Sequence, residues 1–109
     1  MKKVEIFKIN VSNIDIESAL SIIIDSIKHN NKIIIYFVNT HTLTICLQDN
    51  KYCAILNSAD YVFGDGAGVK LACIVINNEK LIDNVNGTDL TPKLLNESFK
   101  EHQNCFLLG

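Results

Sequence analysis

Residues 61–76 read YVFGDGAGVKLACIVI, and this stretch decides the fold. Tyr61-Val62-Phe63 is a short β-branched and aromatic run that passes directly into Gly64-Asp65-Gly66-Ala67-Gly68. The almost wholly apolar residues 69–76 follow and end at Asn77-Asn78. A strand, a glycine-rich turn and a helix in immediate succession form the half-unit of a parallel sheet with helical crossovers. The helix over 69–76 carries so little polar surface that it is expected to be central and buried.

The same alternation continues on both sides. Upstream, residues 33–38 (IIIYFV) form a continuous apolar run too short for a buried helix, and they predict a strand covered on both faces. Asn39-Thr40 ends that strand and opens a helix marked by Leu43, Cys46 and Leu47. Asp49-Asn50 breaks it, and Tyr52, Ile55, Leu56 and Ala59 make a second short stripe. Earlier still, Ile16, Ala19, Leu20, Ile23, Ile24 and Ile27 recur at steps of three and four. They define one helix with Asp15 as N-cap, Ile14 as staple and Asn30-Asn31 as terminator. Val4, Ile6 and Ile9 suggest one short half-buried strand near the start. Downstream, residues 81–86 form an irregular link. Gly87-Thr88-Asp89 turns into a helix with Pro92 in its first turn and Leu94, Leu95 and Phe99 on its buried stripe. Residues 105–108 predict a last strand.

The expected fold is therefore α/β: a Rossmann-like three-layer domain with a mainly parallel sheet. With 109 residues the chain has room for one domain and not two. Phe106-Leu107-Leu108-Gly109 looks like a strand followed by the first glycine of a ligand loop, so the domain is expected to be incomplete at its C-terminus.

Composition excludes several functions. The net charge is −2, from 10 basic and 12 acidic side chains, which leaves no cationic surface for wrapping nucleic acid. All ten basic residues are lysines, so no guanidinium can clamp a phosphate in bidentate fashion. No apolar run approaches the roughly 20 residues that span a bilayer, and residues 1–10 lack the apolar core of a signal peptide. The expected location is the cytoplasm. The four cysteines show no CxxC spacing and the three histidines lie far apart, so neither a metal nor a cofactor is expected.

In open α/β sheets ligands gather at the carboxyl ends of the strands. Three polar segments are expected there: Asn39-Thr40-His41, residues 64–68, and residues 86–89. Glycines admit a ligand close to the backbone, and a helix start offers amides and a positive dipole end to an anion. The segment is not GxGxxG, because position 69 is valine, so it is not a dinucleotide fingerprint. From pattern alone Asp65 has two roles open to it: capping the next helix, or acting as a base. Asn39-Thr40 and Gly87-Thr88-Asp89 are likewise either caps or contacts for a hydroxylated ligand. A phosphatase with Asp65 as nucleophile needs a second aspartate two residues on, where Ala67 stands.

Five segments together resemble the WecG/TagA/CpsF glycosyltransferases: Asn39-Thr40-His41, Asn57-Ser58-Ala59-Asp60, Gly64-Asp65-Gly66-Ala67-Gly68-Val69, Asn86-Gly87-Thr88-Asp89-Leu90 and Phe106-Leu107-Leu108-Gly109. The resemblance implies metal-independent, inverting transfer of an N-acetylhexosamine-type sugar. The donor is a UDP-sugar and the acceptor a polyprenyl-diphosphate-linked N-acetylglucosamine, in teichoic acid or surface polysaccharide synthesis at the inner face of the cytoplasmic membrane. It implies Asp65 as general base. Asn39, Thr40, Gly66, Asn86, Gly87 and Asp89 are the expected sugar-side contacts. Where many relatives carry an arginine shortly before the Gly-Thr-Asp segment this chain has Asn84, and where they often carry threonine it has Phe37. On this reading residues 1–109 are the N-terminal portion of a single transferase domain, with peripheral membrane contact at most and with a homo-oligomer possible. The alternative is a non-catalytic truncated or split module that acts by self-association or complementation.

Overall fold

The computed structural model describes residues 2–109. Strands β1 (Lys3–Ile6) and β2 (Ile9–Ser12) pair antiparallel, with Ile6 opposite Ile9 and Lys3 opposite Ser12. The single strand expected over Val4, Ile6 and Ile9 is thus a hairpin. Its two-residue turn places Phe7 at φ 46° and Lys8 at φ 69°. Such a turn needs positive φ at both central positions, which normally selects Asn or Gly. Here the turn is held from outside: the Asn57 side-chain amide donates to the Lys8 carbonyl (2.7 Å), and its oxygen accepts from the Asn10 amide (3.0 Å).

Helix α1 (Ile16–Lys28) follows, with Asp15 accepting from the Ser18 amide at 3.2 Å, as the sequence predicts. Hydrogen bonding from Ser18 holds the Asp15 carboxyl below the usual carboxylate range. A folded-state pKa below the unfolded one gives stability that is present above the unfolded pKa and lost as pH falls through the folded one. Thermal melts across acidic pH should therefore show Tm falling on acidification. Asp15→Asn, which keeps the capping oxygen, should flatten part of that slope.

Strand β3 (Ile35–Val38) and strand β4 (Tyr61–Gly64) pair in parallel, with Val38 opposite Gly64. The crossover between them is α2 (Thr40–Gln48) and α3 (Asn50–Asn57), hinged at Asp49, which is both C-cap of the first and N-cap of the second. Before β3, residues 33 and 34 do not extend the strand. Its start is fixed by Asp60, whose carboxylate accepts the Ile34 amide at 2.7 Å. The hairpin lies beside β4, where the Val62 amide donates to Ser12 Oγ (3.3 Å). The chain then forms α4 (Ala67–Asn77), an irregular link and α5 (Gly87–Lys100). Pro92 sits in the second turn of α5, not the first, because the helix already begins at Gly87.

Side chains alternate across β3 and β4, and two cores result. Tyr36, Val38 and Val62 face one core with the hairpin, α2, α3 and α4. Ile35, Tyr61 and Phe63 face the other with Ala19 and Ile23 of α1, Val85 of the link and Leu90 of α5. The molecule is a mixed α/β protein with two small sheets, one antiparallel and one parallel, rather than one mainly parallel sheet.

Three further expectations fail. The α5 stripe of Leu94, Leu95 and Phe99 is not buried as a whole: Leu90 is the buried residue of that helix, Leu94 is partly buried, and Phe99 is 82% exposed. Helix α4 is not covered on all sides: Val69 and Cys73 are buried, but Leu71 is 62% and Val75 75% exposed. The hairpin meets only the stripe that passes through Val69 and Cys73, so the opposite face stays open. Residues 105–108 form no strand, and Phe106, Leu107 and Leu108 are exposed. An extended segment has no internal hydrogen bonds and becomes a strand only against a sheet edge.

Candidate functional site at the strand ends

Because β3 and β4 run parallel, their carboxyl ends open on one rim. The rim is closed by the Asp65 amide, which donates to the Val38 carbonyl at 2.8 Å. This bond sets the chain segments after both strands side by side.

Asn39 leaves β3 in an extended conformation and caps α2. Its oxygen accepts from the Thr42 amide (2.9 Å), and Thr42 Oγ1 accepts from the Asn39 amide (2.7 Å), a reciprocal capping box. The Asn39 side-chain NH2 makes no hydrogen bond among the described residues. Thr40 is the first residue of α2, and its methyl group faces the first turn of α4. A Cβ at Gly68 would lie 2.5 Å from Thr40 Cγ2, so the two helix starts touch at a point where only glycine fits.

After β4 the chain turns through Gly66 at φ 104°, ψ 159°, a conformation that favours glycine. Gly66, not Asp65, is the N-cap of α4, and among the described residues no side chain caps that helix. Of the two roles left open for Asp65, capping is therefore removed. The half-buried Asp65 carboxylate accepts no hydrogen bond among the described residues. Asp65 directly precedes the N-cap Gly66, which puts its backbone at the positive end of that helix.

The third segment arrives from the link. The Gly66 amide donates to Asn84 Oδ1 at 2.7 Å. Asn86 caps α5 by accepting from the Asp89 amide (2.8 Å). Its NH2 group donates to the Asp89 carboxylate (2.9 Å) and to the Asn84 carbonyl (3.3 Å). Gly87 begins α5 with its Cα hydrogens toward the Phe37 ring, where an added Cβ would make ordinary contact at 3.9 Å. Phe37, the rim-proximal aromatic of β3, packs tilted on Phe63 with ring centroids 5.8 Å apart.

The structure thus brings Asn39, Thr40, Asp65, Gly66, Asn86, Gly87 and Asp89 to one end of the parallel pair. Asn39, Asn86 and Asp89 spend part of their hydrogen-bonding capacity on helix caps. The Gly66 amide is committed to Asn84 and is not free for an anion. Asn84 enters the sequence reading only as the residue standing where many relatives carry arginine; its bond to the Gly66 amide, across eighteen residues, was not legible there. The flanking motif segment has structural work of its own: Asn57 clamps the hairpin turn and Asp60 starts β3.

Among the described residues no group of three His, Cys, Asp or Glu side chains is placed to hold a metal ion, and no helix is long and apolar enough to cross a membrane. A depression of about 390 Å³ lies between α1 and α5, lined by Leu20, Ser21, Ile24, Asp25, Lys28 and Glu97. It contains none of the rim residues, and its polar groups all belong to surface positions of two helices.

No curated protein matches the chain. The sequence profile of the glycosyl transferase WecG/TagA/CpsF family matches residues 4–109, nearly the whole chain, including every residue gathered at the rim. With the Asn-Thr, Gly-Asp-Gly and Asn-Gly-Thr-Asp segments meeting where a parallel sheet binds its ligands, the chain belongs to the WecG/TagA/CpsF family of glycosyl transferases.

Proposed function

We propose that the chain is the N-terminal portion of a Rossmann-like three-layer transferase domain. This domain moves an N-acetylhexosamine-type sugar from a UDP-sugar to a polyprenyl-diphosphate-linked N-acetylglucosamine, with inversion. One observation carries the reading: a carboxylate at the strand-end rim that no donor among the described residues occupies, next to a helix N-terminus whose N-cap is glycine. Sugar hydroxyls need paired donors and acceptors, which the Asn39 amide, the Thr40 hydroxyl and the residues 86–89 supply.

In the single displacement, the acceptor hydroxyl oxygen bonds to the anomeric carbon. The bond from that carbon to the UDP oxygen breaks, and its electron pair leaves with the diphosphate. The hydroxyl proton passes to Asp65. A carboxylate is a weak base toward an alcohol at rest, but it accepts the proton late, as the hydroxyl becomes acidic in the transition state. The α4 amides and helix dipole favour the negative charge that develops nearby. The polyprenyl acceptor places the reaction at the inner face of the cytoplasmic membrane.

The test is transfer from labelled UDP-N-acetylhexosamine to a short-chain lipid-diphosphate acceptor, with the anomeric configuration of the product read by NMR. An inverted product supports the reading. Retention, or no transfer, overturns it for this chain.

A second reading, a non-catalytic module that associates with itself or with a complementary chain, is favoured by the uncovered α4 face at Leu71 and Val75 and by the exposed residues 106–108. A monomer in sedimentation that transfers sugar removes it.

A further inference from the structure

We infer that Asn84 is a positioning residue for Asp65; the inference rests on the reading of Asp65 as the base. The Asp65 carboxylate has no partner among the described residues, so its direction is set by its own backbone. Two hydrogen bonds fix that backbone. The Asp65 amide donates to the Val38 carbonyl (2.8 Å) and anchors the peptide before Asp65. The Gly66 amide donates to Asn84 Oδ1 (2.7 Å) and anchors the peptide after it. With both peptides held, φ and ψ of Asp65 are held, and so is the direction of its Cα–Cβ bond.

Packing does not supply the second restraint. A Cβ at Gly66 would meet nothing within 4 Å, so the turn is open on that side. Glycine itself has the widest backbone freedom, and without Asn84 the Asp65–Gly66 peptide has no partner to choose among its orientations.

Asn84 is itself tightly placed. Its amide donates to Asp83 Oδ1 (2.8 Å), and Asp83 Oδ2 accepts from the Ile16 amide at the start of α1 (3.1 Å). The Ile82 amide donates to Asn13 Oδ1 (2.7 Å), and the flanking Leu81 and Val85 are buried. The Asn84 carbonyl receives the Asn86 side chain (3.3 Å), so one residue joins the base-bearing turn to the cap of α5. Asn84 touches no reacting atom in this scheme; it acts through Gly66.

The test compares Asn84→Ala with Asn84→Asp in the transfer assay, and reads Gly66 by amide relaxation in 15N-labelled protein. Asn84→Ala should lower kcat about 10- to 100-fold, the scale set by small misplacements of a reacting group, with KM little changed. Asn84→Asp keeps the accepting oxygen and should recover most of kcat. Its added charge near Asp65 should also move the acidic limb of the pH–rate profile upward, since a like charge disfavours ionisation. The Gly66 order parameter should fall from roughly 0.85 to below about 0.6 in Asn84→Ala and stay high in Asn84→Asp.

An unchanged Gly66 order parameter, or full kcat in Asn84→Ala while Asp65→Asn is inactive, overturns the role of Asn84 alone. Full activity of Asp65→Asn overturns the reading of Asp65 on which it rests. The relaxation measurement needs no substrate, so it decides the restraint even where no turnover is seen.

Discussion

Asp65→Asn is expected to lower sugar transfer by about 10²- to 10⁴-fold, the range over which a positioned general base contributes. The substitution is nearly isosteric and removes only the capacity to take a proton. The carboxylate accepts no hydrogen bond among the described residues, caps no helix and is only half-buried, so little folding energy depends on it. Tm should stay within a few degrees of the parent, and the KM for donor should change far less than kcat. Asp65→Ala should be no worse than Asp65→Asn, because in neither case does a base remain. A transfer rate within threefold of the parent in a folded Asp65→Asn protein removes Asp65 from the chemistry.

The largest stability effect is expected at Phe63. Its side chain is completely buried on the α1–α5 side of β4, between the Tyr61 ring and the tilted Phe37 ring. It is the largest of the fully buried side chains, and it is the one from which the second core is built. Phe63→Ala removes that surface and leaves a cavity that a short strand pinned in register with β3 cannot collapse to fill. The expected cost is about 3–5 kcal/mol. Against a total stability of about 5–15 kcal/mol, that is a large part of the whole. Tm should fall by at least about 12 °C. Phe63→Leu, which keeps most of the volume, should cost much less. A melt of Phe63→Ala within 3 °C of the parent would contradict the placement of this core.

The elements whose reasons are local could be read from residues alone. Asp15 and the Ile16-to-Ile27 stripe carry both the start and the buried face of α1. Asn39 caps α2 through Thr42, three residues on, as a capping box requires. The passage from β4 into α4 was legible because glycines at a strand end leave few alternatives.

What stayed hidden depends on distant partners. Neither Phe7 nor Lys8 carries a turn signature; the hairpin turns there because Asn57, nearly fifty residues later, holds both sides of it. The apolar run over 69–76 contains no information about which of its faces the hairpin covers, so Leu71 and Val75 were expected inside and lie outside. Residues 105–108 have strand composition, but composition does not supply an edge to pair with. At the rim, residue types marked the segments that meet there, while their hydrogen-bonding roles came from geometry. Gly66 rather than Asp65 ends up as the cap, and Asn84, noted in the sequence only for standing where many relatives carry arginine, takes the Gly66 amide.

The central claim is that sugar nucleotide and acceptor meet at the carboxyl ends of β3 and β4. Titration of UDP-N-acetylhexosamine into the 15N-labelled chain tests it most directly. Saturable shifts confined to the amides of residues 39–41, 65–69 and 84–89 are the predicted result. Saturable shifts centred on the α1–α5 depression around Ser21 and Glu97, with the Asp65 and Gly66 amides unmoved, would contradict it.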